Sequence, residues 1–93
     1  MELASEFNYD FTKDDLWTGF YIGPASLERG YVVQMTPLSP TPGFRIAEYR
    51  IQPEFNGYVW NDVLRVHIEN TDEKQQYLPI NIKIFACDTA ICQ

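Results

Sequence analysis

Residues 44–69 read FRIAEYRIQPEFNGYVWNDVLRVHIE, and this stretch decides the fold. Asn56-Gly57 lies between two runs in which apolar and polar residues alternate. Asn-Gly is the strongest short-range hairpin signal, because a type I′ turn needs positive φ at both central residues. A two-residue turn places Phe55 opposite Tyr58 and, further along the strands, Glu48 opposite Arg65. The sequence therefore predicts a central antiparallel hairpin that turns at Asn56-Gly57.

The two faces of this predicted hairpin differ in polarity. One face is apolar, as at Tyr49 and Leu64, and the other is polar and includes His67. A slip of one residue would destroy both patterns, so the turn chemistry and the expected burial agree. Asp62 is the exception on the apolar face, and we expect it to mark a bulge.

Further strands are expected on both sides of the hairpin. Turn signals recur every eight to twelve residues or so, which is typical of a sandwich or barrel. The cleanest alternation is Leu78, Ile80, Ile82 and Ile84. Predicted strands cover residues 18–22, 30–36, 44–52, 58–69 and 78–85, with an additional strand at 8–11. The predicted fold class is all-β, a small antiparallel β-sandwich or partly open barrel of about five to seven strands.

The first seven residues resemble a cloning-vector segment. Glu2-Leu3, Ala4-Ser5 and Glu6-Phe7 can each be encoded by a restriction site, so residues 1–7 are interpreted as vector-encoded and left out of the expected fold. Residues 8–86 are expected to form a single β domain and residues 87–93 a C-terminal tail. The domain is then interpreted as one excised from a larger protein.

Composition and charge argue against nucleic acid and the membrane as partners. The chain of 93 residues is acidic, with a net charge of −6 and 7 Lys and Arg, so we expect no nucleic-acid binding. Apolar runs fall short of the roughly 20 residues of a membrane-spanning helix, so no membrane insertion is expected. Cys87 and Cys92 form either one disulfide or two free thiols. Sandwich architecture favours a secreted or cell-surface location, although no residue identifies the compartment.

His67 is the chain's only histidine and the one candidate base for a Ser or Cys nucleophile. Its place on the polar face of the hairpin indicates a solvent-facing strand residue. Zinc sites are built mainly from closely spaced Cys and His, and no such spacing occurs here. We therefore expect no catalytic residue, no metal site and no cofactor. A small hydrolase that uses paired carboxylates is the less favoured alternative.

Aromatic residues are the remaining candidates for function. Phe55, Tyr58 and Trp60 share one region at the turn end of the hairpin, and Trp17 begins another strand. Exposed rings at the rim of a sandwich mark an interaction site, so these four are the predicted ligand-binding residues. The alternative, favoured by continuity with the apolar face, is that the rings close one end of the core.

These observations predict a non-catalytic binding module whose partner is a protein or a carbohydrate. A structural domain is the alternative, with protein–protein contacts and oligomerisation through an edge strand. Fold class alone does not distinguish the two functions.

Overall fold

The computed structural model describes residues 1–12, 17–72, 74 and 76–88. They form an antiparallel, all-β arrangement of two three-stranded sheets, ordered β1-β6-β3 and β2-β5-β4. The described residues contain no helix, and the two sheets do not close into a barrel. The strands are β1 (Glu2–Thr12), β2 (Trp17–Pro24), β3 (Gly30–Pro37), β4 (Phe44–Phe55), β5 (Trp60–Asn70) and β6 (Tyr77–Cys87). The predicted small β-sandwich is confirmed.

The core lies between the two central strands, β5 and β6. Alternate residues of β6 point inward and are buried, as their period of two predicts. The inward residues of β5 meet them from the opposite sheet. These core residues are Leu64, Val66 and Ile68 on β5 and Leu78, Ile80, Ile82 and Ile84 on β6.

Aromatic rings close one edge of the sandwich, where β1 packs against β2. Phe20 on β2 contacts three rings of β1, with centroid distances of 5.1 Å to Phe7, 5.0 Å to Tyr9 and 6.1 Å to Phe11. Such tilted and edge-on contacts are the favoured geometry for aromatic pairs. Phe11 is fully buried and belongs to the core.

The strand bounds correct the expected domain limits at both ends. β1 begins at Glu2 and pairs with β6 from there onward, so leaving residues 1–7 out of the fold is wrong. An extended segment can pair with a sheet edge through its backbone alone, and Phe7 adds packing against the core. The vector origin of these residues stays a prediction. At the other end β6 includes Cys87, which is disulfide-bonded; Cys92, the only other cysteine, lies outside the described residues.

The hairpin turns where predicted, but with a longer loop. Phe55 pairs with Trp60, not with Tyr58, so residues 56–59 form the connection. Among the described residues only Gly43 and Gly57 have positive φ, and Asn56 therefore does not form a type I′ turn. Instead Asn56 Oδ1 accepts hydrogen bonds from the backbone N–H groups of Tyr58 (2.9 Å) and Val59 (3.0 Å). These side-chain hydrogen bonds stabilise the turn in place of the positive φ that was predicted at Asn56.

This longer loop shifts the predicted pairing by two residues. The expected pair Glu48/Arg65 is wrong, because Glu48 lies opposite His67 and Arg65 lies opposite Arg50. A shift of two keeps every side chain of this register on its predicted face, since the period of a strand is two. Near the far end of the hairpin the register shifts once more, between Ile46 and Glu48.

Asp62 does lie beside a bulge, but the bulge is in the neighbouring strand. The pairing of β2 with β5 is irregular between Tyr21 and Gly23, and Gly23 is the residue opposite Asp62. In the hairpin itself, Asp62 faces Pro53 and not Ile51. The sequence thus predicted a bulge at the right place, but the bulge lies in β2 and not in the hairpin.

Candidate binding surfaces

The aromatic residues at the hairpin turn form an exposed surface. Phe55, Tyr58, Val59 and Trp60, here called the tip patch, are 55%, 90%, 54% and 57% exposed. The rings of Phe55 and Trp60 are a cross-strand pair with centroids 5.4 Å apart and planes inclined by 46°. The alternative in which these rings close the core is therefore wrong. The rings lie in solvent at the end of the hairpin.

A cleft of about 450 Å³ opens beside the tip patch. Trp60 forms one wall, and the others are Ala25, Leu27, Pro53 and the neighbouring Ser26 and Asp62. Leu27 is 97% exposed at the rim. A backbone hydrogen bond of 3.0 Å from the Ala25 N–H to the Trp60 carbonyl fixes this loop against the hairpin. The cleft is thus bounded mainly by apolar side chains.

Trp17 lies elsewhere, so the four predicted residues do not form one site. It pairs with His67 on the outer face of the β2-β5-β4 sheet, the face turned away from the core. Trp60 lies seven residues from His67 along β5, which is about 24 Å at roughly 3.4 Å per residue. An odd separation also places the two side chains on opposite faces of the sheet. Two separate surfaces result.

Trp17 belongs to a polar pocket, here called the outer-face pocket, of about 310 Å³. The indole stacks on His67 with centroids 4.7 Å apart and planes inclined by 15°. The guanidinium carbon of Arg50 lies 5.1 Å from the indole centroid, a cation–π distance. The lining residues are Trp17, Arg50, Gln52, Glu54 and Arg65. His67 is thus half-buried beneath a ring and is not simply a solvent-facing residue.

Among the charged groups of the outer-face pocket, Glu54 accepts three hydrogen bonds from neighbouring side chains. Arg65 donates to it twice, from Nε (2.7 Å) and Nη2 (2.6 Å), and the Gln52 amide donates a third bond of 2.9 Å. These hydrogen bonds, above all those from Arg65, lower the pKa of the Glu54 carboxyl to about 2. The carboxylate therefore remains ionised and in a fixed orientation at physiological pH.

Sequence reasoning missed Arg50, Gln52 and Glu54 as members of a site. All three lie on the predicted polar face of β4. The shift of two residues in the hairpin is what places Arg65 within reach of Glu54. The available signal was a cluster of planar polar side chains on one strand face, next to a strand that begins with Trp17.

A third cleft, of about 570 Å³, lies where the edges of β3 and β4 separate. Its walls are mostly apolar and include the core residues Phe44, Leu78 and Ile80 together with Met35 and Ile46. At the opposite edge of the sandwich, the aromatic residues of β1 and β2 pack together and close the gap between the sheets.

Within the described part of the chain, no group of three or more His, Cys, Asp or Glu side chains is placed to hold a metal ion. The same residues include no helix that is long and apolar enough to cross a membrane. No protein-family model matches the sequence, and neither curated proteins nor solved structures give a significant match. Function must therefore be argued from these surfaces alone.

Proposed function

We propose that this domain is a non-catalytic protein-binding module that docks a partner through the tip patch. The observation that supports it is the cluster of four large apolar side chains, each more than half exposed, at the end of one hairpin. Contiguous exposed apolar surface of this kind usually marks an interaction site. Aromatic residues at the centre of such a surface typically supply most of the binding energy.

The cleft beside Trp60 favours a protein segment as the ligand. Ala25, Leu27 and Pro53 give it apolar walls, which suit an aliphatic or aromatic anchor side chain. A sugar fits this place less well, because the planes of Phe55 and Trp60 are inclined by 46° and do not form a flat platform. The nearby Asn56 Oδ1 already accepts two backbone hydrogen bonds, which reduces its capacity to bind a sugar hydroxyl.

The loop that carries the patch is held in one conformation before binding. Besides the two bonds to Asn56 Oδ1, the Asn56 N–H donates to the Val59 carbonyl at 3.1 Å. A surface that is ordered in advance loses little conformational entropy when a partner docks. This supports a preformed binding surface.

The experiment is selection from a random-peptide display library on the immobilised chain, followed by mapping of the selected peptides with ¹H–¹⁵N NMR. We expect peptides with an apolar anchor, and shifts concentrated at residues 25–27 and 53–60. Tyr49→Ala, which removes a half-exposed ring further along β4, is the matched control and should leave binding intact. Failure to select any saturable peptide, or a footprint away from the tip patch, would overturn the proposal.

A second candidate function is assembly with another copy of the chain, favoured by the apolar cleft between β3 and β4. The β4 edge itself carries a register shift at residues 46–48 and Pro53, which discourage strand pairing. Sedimentation velocity separates the candidates. A concentration-dependent dimer that Ile46→Asp abolishes supports assembly, and monomers at all concentrations contradict it.

A further inference from the structure

The outer-face pocket lies on a different face from the tip patch and does not depend on its function. Its residues project from the side of β2, β5 and β4 that faces away from the other sheet of the described residues. The volume of about 310 Å³ is at the lower end of the range of ligand pockets, roughly 300 to 1,000 Å³. The pocket therefore has room for a small ligand or for one unit of a longer one.

Trp17 provides an apolar wall in a fixed position. His67 stacks against the indole, and Arg50 lies over the ring, so the side chain is held on two partners. It nevertheless remains 42% exposed. A flat, weakly polar surface of a ligand can pack on this ring once the flexible Arg50 side chain moves from above the indole toward the polar edge of the ligand.

The rest of the pocket offers hydrogen-bond donors and acceptors side by side. Glu54 is an oriented acceptor, and Arg65 keeps N–H donors beyond the two that it gives to Glu54. In the described part of the chain, no carboxylate lies within ion-pair distance of Arg50. A ligand thus meets a guanidinium, a carboxylate and an indole within one small pocket.

Charge and polarity narrow the class of ligand. An apolar ligand would remove Arg50 and Glu54 from water without replacing their hydrogen bonds, which is costly. A cation would be repelled by Arg50 and Arg65, and an anion drawn to Arg50 would have to approach the Glu54 carboxylate. Neighbouring hydroxyl groups on a ligand can donate hydrogen bonds to the Glu54 carboxylate and accept them from the guanidinium groups of Arg50 and Arg65. A neutral ring with an apolar face and polar edges therefore matches the indole, the carboxylate and the guanidinium groups of the pocket.

We propose that the outer-face pocket binds carbohydrate, with Trp17 packed on the face of a pyranose ring and Glu54, Arg50 and Arg65 hydrogen-bonded to its hydroxyls. Arg65 reaches its position because it lies across Gly19, where a Cβ would be 2.6 Å from Arg65 Nη1. Gly19→Ala should therefore move the guanidinium at small cost to the fold, since only the end of a flexible side chain must shift. At Gly23 on the same strand, a Cβ meets nothing within 4 Å. Gly23→Ala is the matched control.

The test begins with the full chain on an array of oligosaccharides of glucose, mannose, galactose, xylose and N-acetylglucosamine. A bound oligosaccharide is then titrated in ¹H–¹⁵N NMR, beside acetate and inorganic phosphate as anionic probes. We expect saturable shifts at Trp17, Glu54 and Arg65, binding weaker by about tenfold or more in Trp17→Ala and Gly19→Ala, and unchanged binding in Gly23→Ala and Trp60→Ala.

Three results would overturn the carbohydrate proposal. The first is the absence of binding to every oligosaccharide on the array, and the second is saturable binding of acetate or phosphate alone. The third is sugar binding that Gly19→Ala leaves intact or that maps to the tip patch. Since Trp60→Ala should spare sugar binding, the outcome is independent of the proposed protein-binding function.

Discussion

The hydroxyl of Tyr31 on β3 donates a hydrogen bond of 2.9 Å to Oδ2 of Asp62 on β5, and so links the two sheets. Asp62 is the one charged residue on the inner face of the hairpin, and it is buried. Burial, with a smaller contribution from the bond to Asp62, raises the pKa of Tyr31. The pair marks the end of the apolar core, and the tip patch begins beyond it.

Tyr31→Phe should destabilise the domain by about 1 to 3 kcal/mol, because a buried carboxylate loses its hydrogen-bond donor. Urea unfolding monitored by tryptophan fluorescence measures the change. Tyr21→Phe, which removes a hydroxyl from an exposed ring on β2, is the control and should change stability little. Equal effects of the two substitutions would show that the hydroxyl of Tyr31 contributes nothing specific.

The Glu54 carboxyl should titrate with a pKa of about 2, well below its usual 4.5, because Arg65 and Gln52 hydrogen-bond to its charged form. Because the pKa is lower in the folded than in the unfolded state, ionised Glu54 stabilises the fold at pH values above 4.5. This stabilisation is lost as the pH falls toward 2. ¹³C NMR of the carboxyl groups follows the titration. Arg65→Gln should raise the pKa, whereas Arg45→Gln, which removes the more exposed Arg45–Glu69 pair, should not. A Glu54 pKa that is the same in both variants would contradict the role of Arg65.

Gly57→Ala should destabilise the hairpin by about 1 kcal/mol or more, because Gly57 has φ of +101°. A Cβ there meets nothing within 4 Å, so backbone conformation alone is tested. Thermal or urea unfolding gives the value. Gly23→Ala, which also has open space but no positive φ, should be neutral or slightly stabilising. If both variants lose the same stability, the turn does not depend on the left-handed conformation.

The sequence predicted the sandwich because the inward residues of β6 alternate without a break and Asn56-Gly57 marks a turn. It could not predict the loop length, since Asn56 has two local solutions: positive φ, or a side chain that accepts backbone hydrogen bonds. Both solutions leave each side chain on the same face of the hairpin. The predicted polar face was therefore right, whereas the predicted cross-strand pairs were wrong. Trp17 was grouped with Trp60 because the pairing of β2 with β5, which separates them, is a long-range contact.

Truncation of the tip patch should leave the fold intact. Tyr58→Ala should change the free energy of unfolding by less than about 0.5 kcal/mol, because the ring is 90% exposed. Ile82→Ala, at a fully buried position on β6, should cost about 2 to 5 kcal/mol. Urea unfolding of both variants checks the contrast. A large loss of stability in Tyr58→Ala would mean that the patch supports the core.

The most direct test of the tip patch as a binding surface is calorimetric titration of a selected anchor peptide into wild-type protein, Trp60→Ala and Tyr49→Ala. We expect Trp60→Ala to weaken binding by about tenfold or more, and Tyr49→Ala to bind as the wild type does. Unchanged affinity in a folded Trp60→Ala variant would contradict the proposed function.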